Sequence, residues 1–316
     1  MLQHPNARVC LMGALLLKRL FHGLVVLWVV ATVTFLLLRL APGGPFDSER
    51  KLPPEVIANL EAKYHLDEPL WQQYLRYLGG IVRADFGPSY KYLDRGVTEI
   101  IADTLPVSVL LGGLALICAV TISFPIGLLA AYHRNTLIDR CCMLAATLGI
   151  SLPNFLLGAL LIWAIALQLG WLQVGRWDDW TSMILPTVTL AAAPAAFLAA
   201  LLRSTLLETF GEDFVRTARA KGLSEFVVVA KHALGHSLIP VLTVMGPLTA
   251  ALLTGSFVVE FVFAIPGMGR FFITAVVDRD YPLIMGVTLI YTAILVCANL
   301  LVDLLYGYVD PRIRVQ

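Results

Sequence analysis

The sequence predicts an all-α integral membrane protein with six transmembrane helices. Of its 316 residues, 58% are hydrophobic and 14% are charged, whereas about 25% of the residues of a soluble globular protein are charged. A soluble surface of this size needs more charge than the sequence supplies, so lipid must be the solvent for much of the chain. The apolar residues also fall into six long runs, as membrane-crossing helices require.

The same composition excludes several other classes of protein. The chain is too apolar to be disordered, and it carries neither a collagen-like repeat nor the dense cysteine pattern of a small secreted domain. Its 23 Lys and Arg residues nearly balance its 22 Asp and Glu residues, so the formal net charge is +1. Nucleic-acid binding therefore lacks the basic surface that usually supports it.

Each of the six runs has about the 20 residues that a membrane-crossing helix needs. The first, residues 21–40, has no charge before Arg39; it is too long for a cleaved signal peptide, and no small-residue cleavage site follows it. The other runs cover residues 105–132, 141–170, 183–202, 238–263 and 283–308. The predicted organisation is an N-terminus at 1–20, a first span at 21–41, an outer segment at 42–104, a core at 105–308 and a tail at 309–316.

Basic residues predict the orientation of the spans. The termini and the connections on their side of the membrane hold twelve Lys or Arg residues, whereas the short connections of opposite parity hold only Arg176, Arg270 and Arg279. Because Lys and Arg in short loops favour the cytoplasm, both termini are predicted to be cytoplasmic. The outer segment has seven basic residues, but a segment of that length contributes little to this rule.

Two short amphipathic helices are predicted in the outer segment. One begins at Pro53 and Pro54 and the other near Pro69, and each continues with apolar residues at helical spacing. The turn residues Phe86-Gly87-Pro88-Ser89 follow the second helix. A packed connector and a surface for a partner are equally good interpretations of this segment.

The longest cytoplasmic connection, residues 203–236, is the strongest single feature of the sequence. It is too long for a simple link between neighbouring helices. Glu212 and Asp213 open a helix and Arg219 and Lys221 close it, so the charges complement the helix dipole. Gly222 permits a left-handed turn into a second short helix over residues 224–234, with Ser224 as its cap. Such an elbow could carry force into both spans, although a basic loop also satisfies the orientation rule without any such role.

Two acids lie within apolar runs and predict functional positions, because a charge at mid-bilayer costs about 2.5 kcal/mol or more. Glu260 is expected near the outer end of its span, where it could meet the amino terminus of a peptide, and Asp303 near the inner end. We assign Ser256 to the same passage; structural pairing of the acids is the alternative. Prolines within the spans are expected to interrupt the helices beside this passage, at positions 125, 153, 186, 194, 240 and 247.

No catalytic or metal site is predicted. His232 and His236 have the spacing of two ligands on one helix face, but HALGH lacks the glutamate of the zinc-binding motif. No nucleophile motif and no GxxxxGK[ST] phosphate loop occurs in the sequence. The five cysteines have no CxxC spacing and are interpreted as small core residues: Cys10, Cys118, Cys141, Cys142 and Cys297.

Several motifs resemble the permeases of bacterial ABC importers for dipeptides and oligopeptides. They extend along nearly the whole chain and include FVRTARAKGL followed by VVVAKHALGHSLIPVL, LLLRLAPGGPF, LDEPLWQQYLRYL, DFGPSYKY, MILPTVTL, TGSFVVEFVFAIPGMGRFF, RDYPL and DPRIR. The resemblance is to the first of the two membrane subunits, and GPSYKY favours the oligopeptide branch. The general Glu-Ala-Ala pattern of the coupling loop is replaced here by Arg216, Thr217 and Ala218, while its glycine is retained as Gly222.

This resemblance implies a type I ABC importer permease fold in a bacterial inner membrane. It implies a second homologous permease, two cytoplasmic ATPases that bind ATP and magnesium, a periplasmic peptide-binding protein and a peptide substrate; the chain itself would bind no cofactor. The ATPase contact implied by the family, extended to the charged start of the elbow, comprises Glu212, Asp213, Phe214, Arg216, Thr217, Ala218, Arg219, Ala220, Lys221, Gly222 and Leu223.

Three alternatives remain open at this point. A nickel or other small-solute importer could use the same permease design. A secondary transporter driven by an ion gradient could use broken helices and Glu260 for coupling, although no inverted repeat is evident. An intramembrane enzyme would need a nucleophile and base, or a metal-ligand set, and neither is recognisable.

Overall fold

A computed structural model describes the backbone of residues 5–46, 53–92, 94–175, 177–253 and 256–309, and the side chains of these residues other than 5–16, 54, 57 and 302–309. The described residues form helices and no strand, apart from an isolated bridge between Pro88 and Gly96. The all-α prediction is therefore confirmed. The chain divides into two compact units: Met1–Pro106 with Arg270–Leu300, and Val107–Gly269 with Leu301–Gln316.

The first unit contains the long helix α1 and the two helices of the outer segment. Their bounds are Pro5–Leu40 for α1, Pro54–Lys63 for α2 and Leu70–Val82 for α3. Pro53 and Pro69 occupy the N-cap positions of α2 and α3, so the prediction of two proline-initiated helices is confirmed. The unit also includes the start of α4 (Val97–Tyr132), the end of α12 (Met268–Asp278) and most of α13 (Tyr281–Val309).

The second unit contains the remaining helices. These are α5 (Leu137–Ser151), α6 (Asn154–Leu161), α7 (Trp180–Thr209), α8 (Asp213–Ala220), α9 (Glu225–Val227), α10 (Leu234–Leu253) and α11 (Phe257–Val262). Two π-helical segments extend this set: Ile162–Gln168 continues α6, and Val228–Ala233 joins α9 to α10.

Five stretches of the described chain are long and apolar enough to cross a membrane, and a bent helix pair gives a sixth. The bent pair is α5 with α6, which meet at 106°. The third predicted span, residues 141–170, is therefore not a continuous helix. Proline disfavours helical backbone in the residue before it; accordingly, Leu152 is extended (φ −80°, ψ 121°) and Pro153 becomes the N-cap of α6.

Most of the other prolines do not break their helices, which corrects the expectation from the sequence. Helix α7 continues through Pro186 and Pro194, and α10 continues through Pro240 and Pro247. Proline removes one backbone donor, but neighbouring helices and local adjustment can satisfy the freed carbonyl inside a membrane protein. Among the residues that the structure describes, only the extended Leu152-Pro153 junction turns the chain sharply within a span.

Cys118 packs against a core cluster of the second unit, as predicted, whereas the exposed cysteines do not lie in a core. Cys141 and Cys297 are exposed, and Cys118 and Cys142 are half-buried; the side chain of Cys10 lies outside the described part. A small apolar side chain on a membrane helix has no need of burial, because lipid is as apolar as the protein core.

Small residues set the helix spacing in the second unit. Ala115 and Ala119 of α4 share one core cluster with Ala191 and Ala195 of α7. A side chain at Gly112 of α4 would collide with the backbone of α10 at Leu252. Close approach at Gly and Ala is how helices associate where no hydrophobic effect drives them together.

An ion pair joins α5 to α7. Arg203 donates from Nε to Asp139 Oδ1 at 2.6 Å and from Nη2 to Oδ2 at 2.7 Å. The Asp139 side chain is only 5% exposed and also accepts a bond from the Asn135 backbone amide at 2.9 Å. A bidentate pair of this kind fixes the relative register of two helices more strongly than a single contact.

Replacing Asp139 by alanine is expected to destabilise the protein by about 2–3 kcal/mol, because it leaves a partly buried guanidinium without its partner. Lys91→Met is the matched control: it removes the more exposed Lys91–Asp278 pair and should change stability by no more than about 1 kcal/mol. Thermal unfolding of the purified protein measures both. Equal shifts in the two variants would show that the Asp139–Arg203 pair has no special structural weight.

Candidate functional site

An elbow lies where the span Trp180–Thr209 is followed by the span Glu225–Val262. Its first arm is α8, and its second arm is α9 with the π-helical segment that follows it. Helix α8 ends at Ala220, Gly222 adopts φ +75°, and Ser224 is the N-cap residue of α9. The predicted left-handed turn at Gly222 is confirmed, and no atom lies within 4 Å of a side chain placed there. The glycine is therefore required by backbone conformation and not by lack of space.

The second arm of the elbow is not the short separate helix that the sequence predicts. After α9 the chain continues through the π-helical segment into α10, so this arm is the beginning of a span. Helix α10 runs without a break from Leu234 to Leu253, so Gly235 is tolerated within it. Ser224 occupies the cap position, but its side chain makes no capping hydrogen bond.

Two sets of contacts hold the elbow together. Val215 and Ala218 of α8 form a buried cluster with Val228 of the second arm. Across the turn, Arg219 donates from Nε to Glu225 Oε1 at 2.8 Å and from Nη2 to Oε2 at 3.2 Å. Movement of α8 would therefore be passed directly to the start of α10.

The outer surface of α8 is available to a partner. Nearly all residues assigned to the ATPase contact are exposed, including the apolar Phe214 and Leu223. Ala218 is the exception, since it is 5% exposed and faces the buried cluster. The sequence analysis missed Phe226, which is 81% exposed. An aromatic residue so close to a helix start beside the elbow was the available signal.

Glu260 is fully buried, and both of its carboxyl oxygens accept hydrogen bonds. Oε1 accepts from the Ser108 hydroxyl of α4 at 2.8 Å, and Oε2 accepts from the Gly269 amide in the first turn of α12 at 2.8 Å. Ser108 Oγ in turn accepts from the Met268 amide at 2.8 Å. We call this set, Ser108, Glu260, Met268 and Gly269, the glutamate clasp.

The turn after α11 is shaped around the clasp. Ala264 has φ +53°, and the Ile265 amide donates to the Glu260 carbonyl at 2.8 Å. A side chain at Gly267 would lie 2.6 Å from Glu260 Cδ and 2.7 Å from Ser108 Oγ. The glycine therefore leaves the space that the carboxyl group occupies, which explains the PGMG sequence at this turn.

Ser256 and Glu260, two of the three residues assigned to a passage, lie one turn apart at α11 but have different surroundings. Glu260 faces the protein interior and pairs with Ser108, which favours the structural alternative, and its contact with a passing peptide stays a prediction. Ser256 caps α11 by accepting the Val259 amide at 3.3 Å, and it lines a cavity of about 320 Å³. Asn154 is the other polar residue at this otherwise apolar cavity. Asp303 lies in α13, but its side chain is outside the described part.

The first unit brings together three motifs that are far apart in the sequence. Asp280, fully buried, accepts the Ser89 hydroxyl and the backbone amides of Tyr90 and Lys91 at 3.2 and 3.3 Å. Its neighbour Arg279 donates to the Gly44 carbonyl at 3.2 Å. Thus GPSYKY, RDYPL and LAPGG form one structural cluster, a role for Asp280 that sequence analysis did not identify.

Burial raises the pKa of Tyr90 to about 12, even though Arg39 acts in the opposite direction. The Tyr90 ring lies 4.6 Å from Tyr64 and 5.5 Å from Phe46. Tyr90 therefore stays neutral to a higher pH than an exposed tyrosine does.

Several membrane-crossing helices, an elbow between two of them and a largely apolar cavity with two polar residues are the features of a multi-pass membrane transport subunit. The chain belongs to the family described as binding-protein-dependent transport system inner membrane component, whose profile matches residues 123–315. The profile of the corresponding N-terminal region matches residues 12–112. The resemblance inferred from the motifs is thereby confirmed, and the protein is a multi-pass inner-membrane component of a transporter.

Relatives of high identity cover nearly the whole chain. The dipeptide transport system permease protein DppB of Bacillus subtilis is 45% identical over 96% of this chain and 99% of its own. The oligopeptide transport system permease protein OppB of Haemophilus influenzae is 44% identical over 94% of this chain and 98% of its own. Both names occur at similar identity, so they do not distinguish a dipeptide branch from an oligopeptide branch.

Solved structures confirm the fold class. An inward-facing structure of the MetNI methionine ABC transporter has a TM-score of 0.56 at 19% identity, covering 67% of this chain and 96% of that chain. A crystal structure of an amino acid ABC transporter with histidines has a TM-score of 0.54 at 17% identity, covering 67% and 94%. At such identities the similarity establishes the permease fold alone.

Proposed function

We propose that this chain is a permease subunit of an ATP-driven peptide importer. The observation that carries the proposal is the end-to-end match, at 45% and 44% identity, to permeases named for dipeptide and oligopeptide transport. With a second, homologous permease, the chain would enclose the path of the peptide through the membrane. The sequence has no phosphate loop of its own, so ATP and magnesium would bind to two cytoplasmic ATPase subunits.

The elbow is proposed as the contact with an ATPase. Residues 212–223 present exposed charged and apolar side chains, while Val215 and Ala218 anchor α8 to the second arm. Because that arm continues into α10, a push on α8 would rotate or shift a span. The Arg219–Glu225 pair supports this by fixing the angle between the arms.

The cavity at Ser256 and Asn154 is proposed as part of the peptide path. A transporter that accepts varied peptides must recognise features common to them, and an amide and a hydroxyl in an apolar wall suit the peptide backbone. Glu260 is proposed as a positioning residue behind this wall, since the clasp holds α11 and the start of α12 against α4. Asp303 remains a proposed pathway residue on its sequence position alone.

The proposed location is the bacterial inner membrane with both termini in the cytoplasm. Twelve basic residues on that side against three in the opposite short loops support this orientation. A periplasmic binding protein would then deliver peptide to the outer surface, which includes residues 42–104.

The alternatives have less support. A nickel or small-solute importer would share the permease design, but the relatives reported above are peptide permeases by name. An ion-coupled secondary transporter would not require the binding protein that gives the family its description.

Uptake of a labelled peptide by the assembled transporter tests the proposal. The chain is coexpressed with its second permease and the two ATPases, and the purified complex is reconstituted into vesicles together with the binding protein. Uptake should require ATP. The matched control carries ATPases with destroyed nucleotide sites, and it should show no uptake above background. Uptake that persists in this control, or purified complexes that never contain an ATPase, would contradict the proposal.

A further inference from the structure

Helix α3 packs against the membrane-crossing part of α1. The Tyr74 hydroxyl lies 2.7 Å from the Thr32 hydroxyl, and either group can be the donor. The Phe35 ring, which is only 3% exposed, lies 5.3 Å from the Tyr74 ring and 6.0 Å from the Tyr77 ring. These contacts fix the height of α3 along α1.

The point at which α3 contacts α1 lies inside the hydrocarbon layer of the membrane. Residues 20–38 of α1 contain no Lys, Arg, Asp or Glu, and at about 1.5 Å per residue they span roughly 28 Å, close to the ~30 Å of a bilayer core. Thr32 is seven residues before Arg39 and so lies about 10 Å inside that layer. The Tyr74 hydroxyl reaches Thr32, so the backbone of α3 at Tyr74 lies within one side-chain length of that depth.

Two parallel stripes run along the sides of α3 other than the one that carries Tyr74 and Tyr77. Trp71, Leu75, Leu78 and Val82 follow one another at intervals of four, three and four residues, and Trp71, Leu75 and Val82 are 62%, 58% and 88% exposed. We call them the apolar stripe. Beside it run the exposed polar residues Gln72, Arg76 and Arg83.

The arginines beside the apolar stripe indicate that lipid covers it. Arg76 already donates two hydrogen bonds to Glu68, at 2.6 and 2.9 Å, and stays exposed on the polar side. A helix with tryptophan and leucine on one face and arginine on the next is the arrangement of helices that lie in the membrane interface. The same stretch of α1 also exposes Val33 and Leu36, which continues an apolar surface suited to acyl chains.

We propose that α3 is an interfacial membrane helix whose apolar stripe is covered by lipid, in the outer leaflet for the orientation proposed above. Its partner is thus the bilayer, and the binding protein would dock elsewhere on the outer segment. The inference goes beyond the proposed function and does not depend on which solute is transported.

Fluorescence quenching by lipid tests this in the assembled transporter, held in nanodiscs. Single cysteines in a cysteine-free background, Trp71→Cys and Leu75→Cys, carry an environment-sensitive dye, and the lipids carry a spin label near the headgroup end of the acyl chain. Gln72→Cys and Arg83→Cys are the matched controls on the polar stripe. Quenching is expected to be severalfold stronger at 71 and 75 than at 72 and 83, and unchanged when the binding protein is added.

Two results would overturn the proposal. Equal quenching at all four positions would place the apolar stripe outside the lipid, and protection of positions 71 and 75 by the binding protein would show that a protein covers them. The measurement needs no peptide uptake, so a failure of the proposed function leaves the quenching pattern interpretable.

Discussion

Replacing Gly267 by alanine is expected to destabilise the folded permease by about 3 kcal/mol. The new methyl group would lie 2.6 Å from Glu260 Cδ and 2.7 Å from Ser108 Oγ, so the carboxyl group would have to leave its position. The Gly269 amide and the Ser108 hydroxyl would then lose their acceptor in a buried site, and each buried polar group left unpaired costs about 1–3 kcal/mol. Thermal unfolding of the purified permease in nanodiscs measures the loss.

Gly113→Ala is the matched control for this prediction. Gly113 lies in α4, and no atom is within 4 Å of a side chain placed there. Alanine in an open helical position stabilises by about 0.5–1 kcal/mol, so the two Gly→Ala changes should have opposite signs. If Gly267→Ala also raised the unfolding temperature, the geometry assigned to the clasp would be wrong.

Substitutions of Glu260 itself distinguish a positioning role from direct contact with peptide. Glu260→Ala should resemble Gly267→Ala, and Glu260→Gln should be milder, because an amide oxygen can still accept from Gly269 while its nitrogen donates to Ser108. If Glu260 contacted peptide instead, both variants would keep normal stability and lose uptake. Stability and uptake measured on the same preparations separate these outcomes.

Replacing Gly222 by valine is expected to lower peptide-stimulated ATP hydrolysis by about tenfold while the permease remains folded. The left-handed backbone conformation costs an L-amino acid roughly 1–2 kcal/mol, and it costs a β-branched residue more. The chain would relieve this strain by changing the angle between α8 and the second arm. Since about 1.4 kcal/mol corresponds to a factor of ten, a shift of this size is enough to weaken seating of α8 on an ATPase.

Two other variants act as controls for the elbow. Gly222→Asn should be milder, because asparagine tolerates the left-handed region better than valine. Gly235→Val should have little effect, since Gly235 is exposed at the start of α10, has open space around it and does not have a positive φ. Unchanged coupled hydrolysis in Gly222→Val, with normal assembly, would remove Gly222 from the coupling mechanism.

The sequence predicted the features that depend on composition or on local chain chemistry. The apolar runs located five membrane-crossing stretches, and Pro53 and Pro69 located the starts of α2 and α3. Gly222 was predicted as a left-handed turn because few other residues adopt that backbone easily. These predictions needed no knowledge of which helices are neighbours.

The errors came from features that depend on neighbours. The prolines of α7 and α10 look like helix breaks in the sequence, but surrounding helices accommodate them. The second arm of the elbow appeared to be a separate helix, because nothing in the sequence shows that π-helical turns join it to α10. Ala218 was grouped with contact residues although it packs inward on Val228.

The sequence alone determined that this is a membrane protein with an elbow between two spans, because lipid solvation and backbone conformation are properties of consecutive residues. Its place in the transport class followed from the resemblance of its motifs to a known family. Only the tertiary structure decided the roles of single polar groups. Glu260 is 152 residues from Ser108 and Asp280 is 191 residues from Ser89. Whether a buried acid faces a passage or a partner depends on which distant donors the fold places beside it, and these pairings cannot be inferred from local sequence patterns.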